Sequence, residues 1–250
     1  MSKVKGFSLI ELAIVITIIG ILAASVSVGQ KLIAKSRLNA VVSEVAQLTG
    51  IVRSFALKYD YLPGDLPDAG DIWVTDCDAT PANCDGDGDG IIDEWNDDEA
   101  MRSWQHLALA KFIPGVYTGI YGTSMEAGTN VYQSKYSDAS AYMLYSNNRT
   151  STGSFGEVYG KSGNLLHLGN SGANTYYEYA VFTGLEAQRI DLKMDDGDID
   201  GGVVRSRRGI VTTSTECQTG TENTSPASYN MSSSVVACQM YFFTLEGIGS

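Results

Sequence analysis

An apolar run near the amino end, FSLIELAIVITIIGILAASVSV from Phe7 to Val28, restricts everything else this chain can do. Its 22 residues suffice for a membrane-spanning helix, which needs about 20. Six residues precede it, MSKVKG, and they include Lys3 and Lys5. Positive charge before a span holds the N-terminus in the cytoplasm and sends the remainder outward. A secretory signal peptide is the competing reading, with Ala23, Ala24 and Ser25 as a small-residue cleavage site. Neither a plain anchor nor a signal peptide accounts for Glu11. A carboxylate at the centre of a span costs about 2.5–3.5 kcal/mol; near the end it costs less, but it still needs a partner.

The charge distribution divides the chain in two. Residues 1–59 carry seven Lys/Arg and two Glu, whereas residues 60–250 carry ten Lys/Arg against twenty-seven Asp/Glu. The overall net charge of −12 argues against a general nucleic-acid binder, which needs a basic surface to displace phosphate counterions. A hydrophobic content of 44% argues against a disordered chain.

Lys5-Gly6-Phe7-Ser8-Leu9-Ile10-Glu11-Leu12 resembles the type IV prepilin signature shared by pilins and the pseudopilins of type II secretion. The resemblance implies cleavage between Gly6 and Phe7 by a prepilin peptidase, which also methylates the new N-terminus on Phe7. It implies that Glu11 is the acid used in assembly. A glutamate in hydrocarbon is neutralised by the N-terminal amine of a neighbouring subunit, so the assignment has a physical basis. Other pilin subunits and an inner-membrane assembly platform are the implied partners. Many type IV pilins have a proline late in the apolar run. Here none stands between Phe7 and Leu62, although Gly20 is present, and the difference leans toward a pseudopilin-like or minor subunit.

Beyond the span, Leu38, Val41, Val45, Leu48, Val52, Phe55 and Tyr59 recur at alternating spacings of 3 and 4. That is one apolar stripe on a helix, with Ser43, Glu44, Gln47, Thr49 and Arg53 assigned to a wetter face. A free-standing coiled coil would need longer heptads and more flanking charge pairs. The stripe is therefore expected to pack on the chain's own C-terminal part. Pro63-Gly64 ends the helix.

The expected fold is α+β: a long N-terminal helix, membrane-embedded in its first half, packed on a head with an antiparallel sheet. The segments are residues 1–6 as a cleaved leader, 7–28 as the transmembrane and assembly helix, 29–59 as its amphipathic periplasmic continuation, and 60–250 as an acidic head.

Within the head, a helix is expected from Asn96 or Asp97, with Asp97, Asp98 and Glu99 at its positive end. Trp104, Leu107, Ala108 and Phe112 form its buried face, and Pro114-Gly115 stops it. A capping box, Thr183-Gly-Leu-Glu186, opens a second helix from Leu185 to Met194. Strands are expected at residues 176–182, 203–211 and 235–245, and an exposed loop at 212–234. The stretches YDYLPGDLPDA (59–69) and WQHLALAKFIPGVYTG (104–119) also resemble segments of prepilin-type proteins.

Residues 60–100 hold fourteen acids and no Lys or Arg. Asp85, Asp87, Asp89, the Ile91 carbonyl and Asp93 follow the spacing of a calcium loop, with Gly90 at the sharp turn and Asn96 where an EF-hand has glutamate. Calcium is the cofactor this spacing predicts. A second turn offers Asp196, Asp198 and Asp200 but no acid further along, so calcium and a plain solvated turn stand level there.

The four cysteines, Cys77, Cys84, Cys217 and Cys238, allow three pairings. Joining sequence neighbours gives Cys77–Cys84 and Cys217–Cys238, the second resembling the C-terminal disulfide loop of many type IV pilins. Zinc is disfavoured, since neither a C-x-x-C nor a histidine at ligand spacing is present. His106 and His167 are the only histidines, and no nucleophile elbow, phosphate loop or H-E-x-x-H occurs. A non-enzymatic structural subunit is expected, stored in the inner membrane with its head periplasmic. Assembly then places it in an extracellular pilus or a periplasmic pseudopilus. An adhesive tip head and, more remotely, an anchored periplasmic enzyme are the alternatives.

Overall fold

The computed structural model describes residues 8–93, 99–121, 124–147, 158–171, 177–210, 212, 214–221 and 223–248. Its dominant element is α1, Leu9–Tyr59, an unbroken helix of 51 residues and so about 76 Å long at 1.5 Å per residue. Ser8 caps its start, and Asp60, in the left-handed region at φ 61°, ends it by donating its N–H to the Ala56 carbonyl. In the first half the large apolar side chains, from Leu9 to Ile33, are exposed. In the second half Leu38, Val41, Val45, Leu48, Val52 and Phe55 are at most 3% exposed. Each such buried side chain contributes about 1.5–3 kcal/mol, and together they fix the helix to the head.

The head is an antiparallel five-stranded sheet with helices packed around it. In chain order its elements are α2 (Ala69–Trp73), α3 (Glu99–Leu109), β1 (Tyr132–Gln133), β2 (Ser140–Ser146) and β3 (Asn164–Asn170). Then come α4 (Gly184–Met194), β4 (Val204–Arg208), α5 (Ser214–Cys217), β5 (Gln218–Thr219), β6 (Ser228–Tyr229) and β7 (Cys238–Phe242). The strand order is β1-β2-β3-β7-β4, with β5 and β6 forming a separate hairpin. The last long strand therefore inserts between β3 and β4, pairing Leu168 with Met240 and Ser206 with Met240 on its two sides. The C-terminal segment continues back to α1, where the Thr49 and Thr244 hydroxyls lie 2.6 Å apart and Arg53 donates to the Thr244 carbonyl.

Several expectations need correction. Glu44 and Thr49, placed on the wet face by periodicity, are buried; Ser43, Gln47 and Arg53 are exposed as expected. The head wraps α1 more widely than one apolar stripe, and these two polar groups find partners within it. The Glu44 carboxylate accepts from the Ser134 hydroxyl at 3.0 Å, the Lys135 N–H at 3.1 Å and the Tyr142 hydroxyl at 3.4 Å. Residues 177–182 make only isolated bridges, Asn170 with Tyr179 and Phe182 with Cys238. The stretch 212–234 holds α5 and the β5–β6 hairpin rather than one loop. The expectations at 203–211 and 235–245 correspond to β4 and β7, while β2 and β3 went unforeseen. Every residue of β2 is buried, so it lacks the alternation that marks a half-buried strand.

The two helices expected in the head correspond to α3 and α4; the expected start of α3 at Asn96 or Asp97, with Asp97 and Asp98, lies outside the described residues, and α3 ends at Leu109, before Pro114. The α3 side chains of Trp104, Leu107 and Ala108 are buried, and Phe112 is half-buried beyond its end. Phe55 of α1 meets Tyr59, Trp73, His106 and Phe112 within 6.5 Å between ring centroids, so the far end of α1 is held by an aromatic cluster. The capping box of α4 is complete, with Thr183 and Glu186 each bonding the other's backbone. Cys77 is joined to Cys84 and Cys217 to Cys238, leaving no free cysteine.

Glu44→Ala strands the buried Ser134 and Lys135 donors, and a buried hydrogen bond to a charged group is worth about 1.5–3 kcal/mol. For a domain of this size, where 1 kcal/mol moves Tm by about 2–4 °C, melting in detergent should fall by roughly 5–10 °C. Gln47→Ala, on the exposed face, should leave Tm within about 2 °C. Equal losses from the two variants would show that Glu44 does not tie the head to the helix.

Candidate assembly helix and cation sites

Gly6 and Phe7 lie outside the described residues. Glu11 sits in the first turn of α1, where its Oε2 accepts the Ser8 N–H at 2.8 Å and completes a capping box with the Ser8 hydroxyl. The acid thus has a partner within its own chain, which lowers the cost of carrying it at the edge of an apolar span. Cleavage before Phe7 would leave that Ser8 amide in place. The apolar first half of α1 is long enough to cross a membrane, and none of it is buried by the head.

The first Asp-rich loop is organised differently from its linear spacing. Asp85 Oδ1 accepts the Gly70 N–H at 2.7 Å and so caps the start of α2. Asp87 accepts the Asp89 N–H and Asp89 accepts the Ile91 N–H, at 3.0 and 2.7 Å, in two successive local turns. The Asp93 N–H donates to Glu99 Oε2 at 2.8 Å, and Asn96 lies outside the described residues. Of the residues predicted from spacing, Asp87 alone is gathered into a trio of potential ligands, with Asp65 and Glu99; one oxygen from each lies within 4.8 Å of the other two.

Asp65 and Glu99 escaped the sequence reading because they are far from Asp87 along the chain. Glu99 stood out only as an acid at a helix start. The loop folds over both of them. A Cβ on Gly86 would stand 2.4 Å from the Gly64 carbonyl oxygen and 2.5 Å from the Asp65 Cα, so only glycine lets the two strands touch there. His106 fastens the same contact from below. Its Nδ1 accepts the Gly64 N–H at 3.0 Å, and its Nε2 faces the Cys84 carbonyl at 3.0 Å. An amide can only donate and a carbonyl only accept, so the ring is neutral with its proton on Nε2. The Cys77–Cys84 disulfide holds the loop's base.

Burial dominates the electrostatics of the trio. It raises Asp65 to a pKa of about 6, opposed by the Gly90 and Gly88 amides and assisted by Asp89 and Asp87. Glu99 is raised to about 7, again by burial first, against the Asp93 and Asp87 amides and with help from Asp65 and Asp87.

In the second turn, Asp191, Asp195 and Asp196 come together, whereas Asp198 and Asp200 of the predicted set do not join them. Asp191 accepts the Tyr229 hydroxyl at 2.8 Å and the Gly197 N–H at 3.2 Å. Asp195 accepts the Val203 and Val204 amides. Asp196 accepts the Asp198 N–H, and Asp200 accepts from Ser225 and Ala227. Asp191 is raised to about 7, chiefly by burial. These acids are occupied as turn and loop fasteners.

Neither histidine sits in a cleft as a proton-transfer group. His167, fully buried in β3, meets Gln239 Oε1 through Nε2 at 2.8 Å and stacks on Tyr241 at 4.4 Å. Burial lowers His106 and His167 alike to about 3.

The fold and these sites define a class: a helical stalk whose apolar first half is long enough to cross a membrane, carrying a disulfide-bonded α+β head. A family model described as the prokaryotic N-terminal methylation motif matches residues 1–27. The chain therefore carries the type IV prepilin signature and is pilin-like at its amino end. No curated protein and no solved structure matches the chain.

The pH dependence of stability follows from His167. Its folded pKa lies below the unfolded value of about 6.5, so unfolding takes up a proton and stability falls as pH drops from about 6.5 toward 3. Relative to His167→Gln, which cannot charge, the native chain should lose about 2 kcal/mol between pH 7 and pH 5. The comparison cancels the carboxylates, whose raised values act in the opposite sense. Parallel stability-against-pH curves for the two proteins, measured by urea denaturation, would contradict this.

Proposed function

We propose that this chain is a minor subunit of a type IV pilus or of a type II secretion pseudopilus. It is stored in the inner membrane with its N-terminus cytoplasmic and its head periplasmic, and is assembled into a filament through α1. The observation that carries the reading is the coincidence of the methylation motif at residues 1–27 with a helix whose first half has no cover of its own. In one copy the apolar side chains from Leu9 to Ile33 are exposed, which suits lipid before assembly and neighbouring helices after it. The second half is already committed to the head, so each subunit arrives folded and contributes only its bare half-helix. A head spanning residues 60–250 is bulky to pack around every helix of a fibre, which favours a minor position. The role is structural, and the partners are a prepilin peptidase and methyltransferase, other pilin or pseudopilin subunits and the assembly platform.

Mass spectrometry of the protein from its host should find an N-terminus at Phe7 bearing one methyl group. A bulky residue in place of Gly6 should block that cleavage. An N-terminus near Ser25 would establish an ordinary signal peptide and end the reading.

Glu11→Gln separates two roles of that acid. Glutamine keeps the capping box while removing the charge, so membrane level and helix start should persist. Incorporation into filaments should drop by at least about tenfold, the equivalent of losing 1.4 kcal/mol in a neighbour contact. Undiminished incorporation would reduce Glu11 to a helix cap.

A further inference from the structure

The strongest unexplained feature of the head is a pair of carboxylates buried side by side. Asp65 and Glu99 are each 1% exposed. Among the described residues neither has an ion-pair partner, the one such pair being Lys161 with Glu246. The Arg102 guanidinium, one turn along α3 from Glu99, donates to the Asp85 backbone carbonyl at 2.8 Å. Glu99 accepts the Asp87 N–H at 3.1 Å and the Asp93 N–H at 2.8 Å. Asp65 Oδ2 accepts the Gly90 N–H at 3.0 Å and the Gly88 amide also faces this carboxylate, but Oδ1, buried as well, accepts no hydrogen bond of acceptable geometry. Burying charge without a counter-charge is costly, and leaving a carboxylate oxygen without a donor adds to it. The chain has nevertheless built the surroundings with care. A glycine-rich loop closes on Asp65, a neutral histidine pins the loop base, and a disulfide restrains its entry.

We infer that Asp65, Asp87 and Glu99 form a calcium site, in which the cation supplies the missing partner for Asp65 Oδ1 and the counter-charge for both buried acids. All three donors are hard oxygens, which select calcium or magnesium over softer metals. One oxygen from each lies within 4.8 Å of the other two, close enough for all three to meet one ion, and calcium's flexible coordination at about 2.3–2.6 Å suits such a set better than the near-ideal octahedron at about 2.0–2.1 Å that magnesium demands. Asp87 is exposed, which gives the ion a way in from solvent. Backbone amides already bound to these carboxylates do not compete, because each oxygen offers a second lone pair. The site differs from the linear loop of Asp85, Asp87, Asp89 and Asp93. It draws on three separated segments: the turn after α1, the loop, and the start of α3. Calcium there ties the end of the stalk helix to the head. The inference does not depend on the filament role.

The test is calcium-dependent melting of the full chain in detergent after stripping with chelator. At free calcium about 100-fold above Kd, Tm should rise by roughly 5–10 °C over that in chelator, and equimolar magnesium should give less. Asp65→Asn keeps the Gly90 bond and places an amide where Oδ1 lacked a donor. It should fold, melt in chelator no lower than the native chain, and show no gain with calcium. Asp87→Asn, at an exposed position, gives a second variant in which the gain should vanish without dependence on core packing. Asp89→Asn and Asp196→Asn should keep it. Equilibrium binding should find one calcium in Asp196→Asn that Asp87→Asn lacks. An absent calcium effect in the native chain overturns the assignment, as does a gain surviving in both Asp65→Asn and Asp87→Asn. Loss of the gain in Asp196→Asn, or an equal response to magnesium, overturns it too.

Discussion

One helix has to satisfy two solvents, and the rest of the molecule is arranged around that demand. Over its first half α1 presents apolar side chains in all directions, which water penalises and hydrocarbon or other helices accept. From Leu38 onward the pattern narrows to a stripe, which the head buries from Leu38 to Phe55 and half-buries at Tyr59. The changeover comes without a break in the backbone hydrogen bonds, because no proline interrupts the helix before Asp60 reverses it. A rigid connection follows: any force or displacement on the membrane half reaches the head through an unbroken rod. The apolar contact from Leu38 to Phe55 and the aromatic cluster at its far end make the grip.

Polar groups, not further apolar area, then decide how the head sits on that rod. Glu44 reaches from α1 to Ser134, Lys135 and Tyr142 and orients the approach to β2. Thr49 and Arg53 hold the chain's C-terminal segment through Thr244. His106 links Gly64, in the turn after α1, to Cys84, at the end of a short 3-10 helix. Buried polar groups tolerate little misplacement, because an unmade hydrogen bond there costs more than a made one gains. They fix a single arrangement where apolar packing alone would allow several.

The acids of the head follow two uses that the sequence presents identically. Asp85, Asp195 and Asp200 accept backbone amides and act as fasteners of helix starts and turns. Asp65 and Glu99 are instead withdrawn from water beside each other, and such a pair needs a proton or a cation. The export proposed for this head would place it among free divalent ions. The disulfides at Cys77–Cys84 and Cys217–Cys238 suit the same oxidising surroundings.

The amino-acid sequence by itself determined the parts whose physics is local. The apolar run with its N-terminal methylation motif, the heptad stripe on α1, the capping box of α4 and the α3 core face are all legible from neighbours within a turn or two. Strand β7 and part of β4 showed through their β-branched and aromatic content. Tertiary structure alone decided the rest. Strand β3 is rich in Leu, and β2 mixes Ser, Ala, Met and Leu with two Tyr, so neither carries a continuous β-branched run, and long-range pairing decides both. Glu44 read as a surface residue because periodicity reports the direction of a side chain, not how far the head wraps around it. Asp65 joined Asp87 and Glu99 because glycines at 64 and 86 let two distant segments touch. A ligand set assembled from three segments leaves no spacing in the chain, since what brings its members together is the packing of the whole head.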